Sequence, residues 1–249
     1  MRIWIIVILI ILLLIFSSCS MPKEPSSPIA ASSEESYDFH LTEGRMYLRQ
    51  NDSGKALDHL KKAVAIKPDS PRAHNFLGIA YFQQKDYKLA KKEYEKALDL
   101  NPSYAQAYNN LGSAYFMLSE FDKAKALFKK ALSLFPDLVS AHYSLGTLLV
   151  AQGEVEEGTH YLLEGIELSP DFLERNKAFI ANFSSSAVGT PELLFTYAKL
   201  YASIGNVEKT IEYLTKAEKA GFKDWHRIDT EKEFEGIRED KRIQDFKKS

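Results

Sequence analysis

The fold is decided by two adjacent stretches of equal length, PRAHNFLGIAYFQQKDYKLAKKEYEKALDLNPSY at 71–104 and AQAYNNLGSAYFMLSEFDKAKALFKKALSLFPDL at 105–138. Aligned without a gap, they place glycine, tyrosine, alanine and proline at the same positions. The same 34-residue spacing continues on both sides and covers 37–172 in four copies. Its glycines are Gly44, Gly78, Gly112 and Gly146, and its prolines are Pro68, Pro102, Pro136 and Pro170. A period of this length indicates a stack of small supersecondary units.

Each copy predicts two helices. In the first quoted copy we expect helices over 72–84 and 87–100, because good helix formers fill both stretches and Lys85-Asp86 separates them. Small residues such as Gly78 recur where two helices must approach closely, and large side chains fill the remaining space. Proline cannot continue a helix, so the proline near the end of each copy stops the second one.

The repeat length, the recurring columns and the closing proline resemble the tetratricopeptide repeat. This resemblance implies an all-α fold, a right-handed superhelical solenoid of helix-turn-helix repeats with a C-terminal helical cap. The two quoted copies match nearly every signature position. The copy at 37–70 departs from the pattern at Glu43, and the copy at 139–172 is the most degenerate.

The register breaks after the fourth copy. Residues 173–190 do not fit the period, and we expect an irregular helix and loop there, since Phe172, Phe179, Ile180 and Phe183 fall on one helical face. Thr190 followed by Pro191 is typical of a helix start, so a fifth copy is predicted over 191–224. The tail, 225–249, resembles the segment that often closes bacterial tetratricopeptide proteins, with Trp225 and then Arg238, Asp240 and Arg242. A polar cap of this kind is what a solenoid end requires.

The N-terminal residues indicate a membrane address. Arg2 precedes an uncharged apolar run over 3–16, which as a helix would span about 21 Å, less than the roughly 30 Å of a hydrocarbon core. A charged residue before a short apolar run is typical of a secretory signal. Residues 1–18 with Cys19 resemble a bacterial lipoprotein signal peptide, which implies that Cys19 carries acyl chains such as palmitate. An uncleaved anchor helix and an ordinary cleaved signal are the alternatives.

Residues 19–36 are predicted to be a disordered tether, because Pro22, Pro25, Pro28 and many serines leave little apolar surface to bury. The expected location is the bacterial cell envelope, with the chain held by its lipid anchor. Ser20 after the lipidated cysteine would favour the periplasmic side of the outer membrane in a Gram-negative bacterium.

Composition and motifs argue against an enzyme. The chain has 32 Lys and Arg against 34 Asp and Glu, which disfavours general nucleic-acid binding. We predict no catalytic residues, no cofactor, no metal site and no small-molecule substrate, since no nucleotide-binding, nucleophile-elbow or zinc motif occurs. His40, His74 and His142 occupy one column of three copies, so we interpret them as packing residues. Two alternatives remain: a ligand or catalytic site at the 173–190 break, and a self-assembling structural protein.

The resemblance places a partner-binding groove on the concave side, which the first helix of each copy lines. The predicted groove residues combine amide, hydroxyl, aromatic and aliphatic side chains: Asn75, Phe76, Ile79, Asn109, Asn110, Ser113, Tyr143, Ser144 and Thr147. Amides suit the backbone of a peptide, and aromatic side chains suit apolar anchoring. The cationic residues of the carboxylate clamp found in chaperone-binding relatives are absent from the expected positions.

These features predict a membrane-anchored scaffold or adaptor that binds a peptide segment or helix of a partner protein, in the assembly of an envelope complex. The layout resembles the pilotin-type tetratricopeptide lipoproteins of type IV pilus biogenesis, which assist secretin assembly. An adaptor for peptidoglycan-processing enzymes is the other subtype that the layout suggests.

Overall fold

The structure is a computed structural model that describes residues 28–175 and 190–248. Within these ranges all regular secondary structure is helical. The long helices are α1 (Pro28–Arg49), α2 (Ser53–Ile66), α3 (Pro71–Gln83), α4 (Tyr87–Leu100), α5 (Ala105–Met117), α6 (Phe121–Leu134), α7 (Val139–Ala151), α8 (Val155–Leu168), α10 (Pro191–Ser203) and α11 (Val207–Lys219). The short ones are α9 (Phe172–Arg175), α12 (Arg227–Thr230), α13 (Lys241–Gln244) and the 3-10 turns Lys232–Phe234 and Asp245–Lys248.

The long helices form five antiparallel pairs, α1/α2, α3/α4, α5/α6, α7/α8 and α10/α11. The two helices predicted for the second copy are confirmed within one residue. The predicted start at Thr190 is also confirmed, because its hydroxyl accepts a hydrogen bond from the Leu193 backbone N–H at 3.2 Å with Pro191 in the first turn. The all-α solenoid expected from the repeat is the observed fold.

The turn inside every pair contains one residue in the left-handed region, where glycine is favoured. Its φ is +58° at Asn51, +64° at Lys85 and +61° at Ser119, and it is +87° at Gly153 and +70° at Gly205. The positions from Asn51 to Gly153 keep the 34-residue period, so the same backbone turn recurs even where the residue carries a side chain.

Close approach of the two helices in a pair explains the glycine column. A Cβ added to Gly78 would lie 2.5 Å from Cε1 of Tyr94, and one added to Gly112 would lie 2.6 Å from Cε1 of Phe128. Tyr94 and Phe128 are buried, so each glycine is the flat surface against which a large side chain of the second helix packs.

The residues after α11 close the C-terminal end. Ile228, Phe234 and Ile243 are fully buried, and the ring of Phe222 stacks on Phe195 with centroids 4.2 Å apart. The guanidinium of Arg238 donates to the backbone oxygens of Ile228 and Glu231, each at 3.1 Å. This segment therefore shares the core of α10 and α11.

One correction concerns the predicted tether over 19–36. Residues 28–36 belong to α1 instead, since Pro28 suits the first turn of a helix and the alanines after it favour helix. Glu34 also pairs with Lys67 of α2 at 3.1 Å. The predicted signal at 1–18, Cys19, the remainder of the tether and the phenylalanines at 179 and 183 lie outside the described residues. In the part that is described, no helix has the length and apolar character needed to cross a membrane.

Candidate protein-binding groove

The first helices of successive pairs, α1, α3, α5 and α7, contact one another directly. We call the surface that they form the first-helix face. Polar side chains join these helices: the Nδ2 of Asn110 donates to the Oδ1 of Asn75 at 2.9 Å, and the Nδ2 of Asn75 lies 3.4 Å from the hydroxyl of Tyr104. In the same way the Nδ2 of Asn109 lies 3.4 Å from the Oγ of Ser140.

Four of the predicted groove residues are partly exposed on this face: Phe76, Ile79, Asn110 and Ser113. They lie on α3 and α5, and we call the part of the first-helix face formed by α1, α3 and α5 the open section. Asn75 and Asn109 belong to the same helices but are buried. Because both side chains are buried and their Nδ2 groups bond between helices, they position the section rather than face a partner. The Oδ1 of Asn109 has no hydrogen-bond partner among the described residues.

Two arginines of the open section lie near the same aromatic ring. The guanidinium carbon of Arg45 lies 5.1 Å from the ring centroid of Phe76, and that of Arg72 lies 5.9 Å from the same centroid. Among the described residues neither guanidinium forms an ion pair. A cation over an aromatic face is weakly attracted to it, so Phe76 holds two arginines together at one point of the face.

Tyr104 lies beside this cluster at the start of α5. Burial raises the pKa of its hydroxyl, while the positive charges of Arg72 and Arg45 oppose the rise. The hydroxyl therefore remains protonated at physiological pH and can donate a hydrogen bond. Sequence reasoning missed Tyr104 because it precedes the helix. The available signal was an aromatic residue at this repeat position, which Ser70 occupies in the preceding copy.

The remaining predicted groove residues, Tyr143, Ser144 and Thr147, require a correction to the expected geometry. All three lie on α7 and are fully buried. The ring of Tyr143 stacks on Phe172, with centroids 4.9 Å apart and planes 8° from parallel, and the Thr147 and Tyr197 hydroxyls are 2.9 Å apart. The chain itself thus covers this part of the first-helix face, which we call the closed section.

Burial also controls the ionisation of the closed section. It raises the pKa of Tyr197 to about 12, although the hydrogen bond with Thr147 opposes the rise. Burial likewise raises the pKa of Tyr143. These hydroxyls are neutral at physiological pH and act as structural groups within the core.

The histidine column has the packing role that the sequence indicated. His74 bonds through Nδ1 to Glu93 at 2.7 Å and through Nε2 to the backbone oxygen of Pro68 at 2.9 Å. Two repeat periods later, the Nε2 of His142 lies 2.6 Å from the backbone oxygen of Pro136. Each of these histidines ties its helix to the preceding proline turn. Across 28–175 and 190–248, no group of three His, Cys, Asp or Glu side chains could hold a metal ion.

Three family models match the chain. Models described as tetratricopeptide repeats match 69–137 and 118–171, and one described as a TPR repeat matches 44–85. Together they span 44–171, just over half of the 249 residues. No curated protein sequence matches the chain significantly.

Solved structures of helical repeat proteins resemble it as well. One is TTC0263, a thermophilic TPR protein of Thermus thermophilus, at 19% identity and a TM-score of 0.55, covering 76% of this chain and 94% of that one. Another is pilF of Pseudomonas aeruginosa, at 19% identity and a TM-score of 0.53, covering 82% of this chain and 97% of that one. At such identity the likeness concerns the fold. The repeat models that span 44–171, together with the paired helices, identify the chain as a member of the tetratricopeptide repeat proteins, whose fold is a protein-interaction scaffold.

Proposed function

We propose that the chain is a membrane-anchored adaptor whose open section captures a segment of a partner protein. The observation that carries the proposal is the convergence of Arg45 and Arg72 on Phe76 without an ion pair among the described residues. A guanidinium presents a planar fork of donors that matches a carboxylate. The open section is therefore suited to an acidic side chain or a terminal carboxylate.

Apolar and amide groups beside the arginines complete the recognition surface. Phe76 and Ile79 are half-buried and offer an apolar contact for a neighbouring side chain of the partner. Asn110 donates its amide hydrogen to Asn75, which leaves the Asn110 side-chain oxygen to accept from a peptide N–H. The combination favours a segment that carries an acidic group next to an apolar one.

The size of the open section sets the length of the segment. Packed helices lie about 8–10 Å apart, so the span from α1 to α5 is roughly 20 Å. An extended chain covers that span with about six residues at about 3.3 Å each. A short linear motif is thus the expected ligand, and the covered α7 would limit its length.

The anchor is the second part of the proposal. Acyl chains on Cys19 would hold the chain at a membrane surface, which raises its effective concentration for other membrane-bound proteins. The test is Cys19→Ala followed by membrane fractionation of whole cells. Release into the soluble fraction is expected, and a variant that stays bound to the membrane would contradict lipidation.

The binding proposal is tested by crosslinking in cells, with a photoreactive residue in place of Asn110 in the full chain and mass spectrometry of the product. The same experiment is repeated in Arg45→Ala/Arg72→Ala and in the control Lys92→Ala/Lys130→Ala. Lys92 and Lys130 are exposed on second helices, so both variants remove two positive charges.

The expected result is one dominant partner in the parent chain and the control, and at least tenfold less product in the arginine variant. Equal product in both variants would contradict recognition by the arginine pair. The identity of the product separates the two pathways that the layout suggests: a secretin would favour a pilotin-like role, and a peptidoglycan-processing enzyme would favour the other.

A further inference from the structure

The register break at 173–190 changes how helix pairs stack. In the first four copies the second helix of each pair packs against the first helix of the next, as α2 on α3, α4 on α5 and α6 on α7. Contacts between α8 and α10 are sparse by comparison, and the 3-10 turn Lys232–Phe234 packs on α10 instead. Among residues 28–175 and 190–248, one side of α8 is thus left beside an opening rather than against a helix.

This opening is a cleft made of two adjoining cavities of about 700 and 650 Å³. Both cavities are lined by Leu163, Lys232 and Glu233, so they lie on either side of these residues. Its walls are α8, α10 and 224–236, and we call it the α8 cleft. Volumes of several hundred cubic ångströms accommodate a ligand rather than isolated waters.

The floor of the cleft combines apolar surface with an unused hydroxyl. Leu163 is half-buried, and Ile204 is 40% exposed in the second cavity. Thr159 lines the first cavity and is only 7% exposed, yet its Oγ1 has no hydrogen-bond partner among the described residues. A buried polar atom without a partner is unfavourable, and a ligand that reached it would supply the missing bond.

The cations inside the cleft are already engaged. The Nζ of Lys199 lies 2.5 Å from Glu231, and the guanidinium of Arg227 lies 2.5 Å from Glu192 and 2.6 Å from Glu231. Both cations of the deep part of the cleft are thus paired with carboxylates of the chain itself.

The rim, in contrast, carries excess negative charge. Glu156, Glu167, Asp224 and Glu235 are exposed around the two cavities, with Lys232 as the exposed lysine among them. Within the described part of the chain, none of these four carboxylates forms an ion pair. Charges arranged in this way attract a segment of opposite sign and fix its register.

From these contacts we infer that the α8 cleft is a second protein-docking surface, and that its occupant is a basic amphipathic segment of a partner. Lysine or arginine side chains of the segment pair with the rim carboxylates. An apolar side chain covers Leu163 and Ile204, and a polar group of the segment bonds the Thr159 hydroxyl. The cleft differs in sign from the arginine-bearing open section, so the two surfaces select different segments and do not depend on each other.

The test uses the purified full chain and two labelled probe peptides of equal length, one alternating Leu with Lys at helical spacing and one with Glu in place of every Lys. Binding is measured by fluorescence anisotropy at two salt concentrations. The expected result is saturable binding of the basic peptide that weakens with salt, and at least tenfold weaker binding of the acidic peptide.

Variants then locate the binding. Glu156→Gln/Glu167→Gln/Glu235→Gln is expected to weaken binding of the basic peptide about fivefold to tenfold, since each rim charge contributes modestly.

The control Asp58→Asn/Asp99→Asn/Asp122→Asn removes three exposed carboxylates from second helices and is expected to change the affinity less than twofold. Arg45→Ala/Arg72→Ala is expected to leave the affinity unchanged, which keeps this result separate from that of the open section.

Thr159→Val distinguishes specific docking from general attraction of cations. The substitution keeps the shape of the side chain and removes a hydroxyl that is unpaired in the free protein, so folding stability is expected to stay the same or rise. Weaker binding of the basic peptide by about threefold is expected. Equal effects of the rim variant and its control, or full displacement of the peptide by an equivalent charge of spermidine, would overturn the proposal.

Discussion

The copies at 105–138 and 139–172 place their first helices in equivalent positions but expose them very differently. Asn110 and Ser113 of α5 are half-buried, whereas Ser144 and Thr147, one period later on α7, are fully buried. The next segment of the chain accounts for the difference. A copy in the same 34-residue register comes after the pair α5/α6, while Phe172 and α10 come after the pair α7/α8 and cover its first helix. The register break therefore ends the groove as well as the uninterrupted 34-residue spacing.

The largest expected effect is a difference in folding stability between a variant of the closed section and a variant of the open section. Tyr143→Ala removes a fully buried ring that stacks on Phe172 and should lower the free energy of unfolding by about 3–5 kcal/mol. Phe76→Ala removes a half-buried ring from the open section and should lower it by about 1 kcal/mol. Urea denaturation followed by circular dichroism measures both. Equal losses would mean that the two sections are not packed differently.

The second-largest expected effect is a loss of folding stability at alkaline pH, caused by the closed section. The pKa of Tyr197 is about 12 in the folded chain, against 10.0 for an ordinary tyrosine. The folded state thus binds the proton more tightly, so this contribution is complete below pH 10 and is lost as pH rises from 10 to 12. The loss should reach about 2–3 kcal/mol at pH 12. A pH series of urea midpoints checks it, with Tyr197→Phe expected to show a shallower decline; parallel curves for parent and variant would contradict the assignment.

Helices α5 and α6 should pack together as tightly as the other pairs, although α5 belongs to the open section. Only the first-helix face of this pair is then open. Gly112→Ala should destabilise the chain by about 1–3 kcal/mol, because the new Cβ would lie 2.6 Å from the Phe128 ring. Gly236→Ala is the matched control, since no atom lies within 4 Å of its added Cβ. A thermal melt distinguishes them, and a tolerated Gly112→Ala would show that the pair can separate.

The smallest effect concerns the turns. Ser119 has a φ of +61°, while Gly153 occupies the equivalent turn one period later. Ser119→Gly should stabilise the chain by about 0.5–1 kcal/mol by removing left-handed strain from a side-chain-bearing residue. The reciprocal Gly153→Ala should destabilise it by a similar amount, and melting temperatures that move in the same direction would refute the argument.

The fold could be predicted because the same residue pattern recurs in successive copies. Glycine, alanine and proline columns fix where helices meet and end, so α3 and α4 begin and end within one residue of expectation. Residues 28–36 were misjudged because serine and proline content hides the helix-forming alanines and the tie between Glu34 and Lys67.

The groove was harder to predict, because a repeat position places a residue within its own copy, whereas the burial of that residue depends on the neighbouring segments. Tyr143 and Thr147 occupy partner-facing columns, yet Phe172 and Tyr197 lie against them. The sequence of α7 offered one signal, since Tyr143 and Ser144 stand where α5 has the amides Asn109 and Asn110. Asn75 and Asn109 show a second limit of sequence-based prediction. A side-chain amide can bond either a ligand or a neighbouring helix, and only the hydrogen-bond distances in the structure show which it does.

The central claim is that a partner segment contacts the open section and stops where the face is closed. The most direct measurement is in-cell photo-crosslinking from position 110 and, in parallel, from position 144, since Asn110 and Ser144 occupy the same column of adjacent copies. We predict an intermolecular product from position 110 and none from position 144 in the folded chain. An intermolecular product of equal yield from position 144, or none from position 110, would contradict the account.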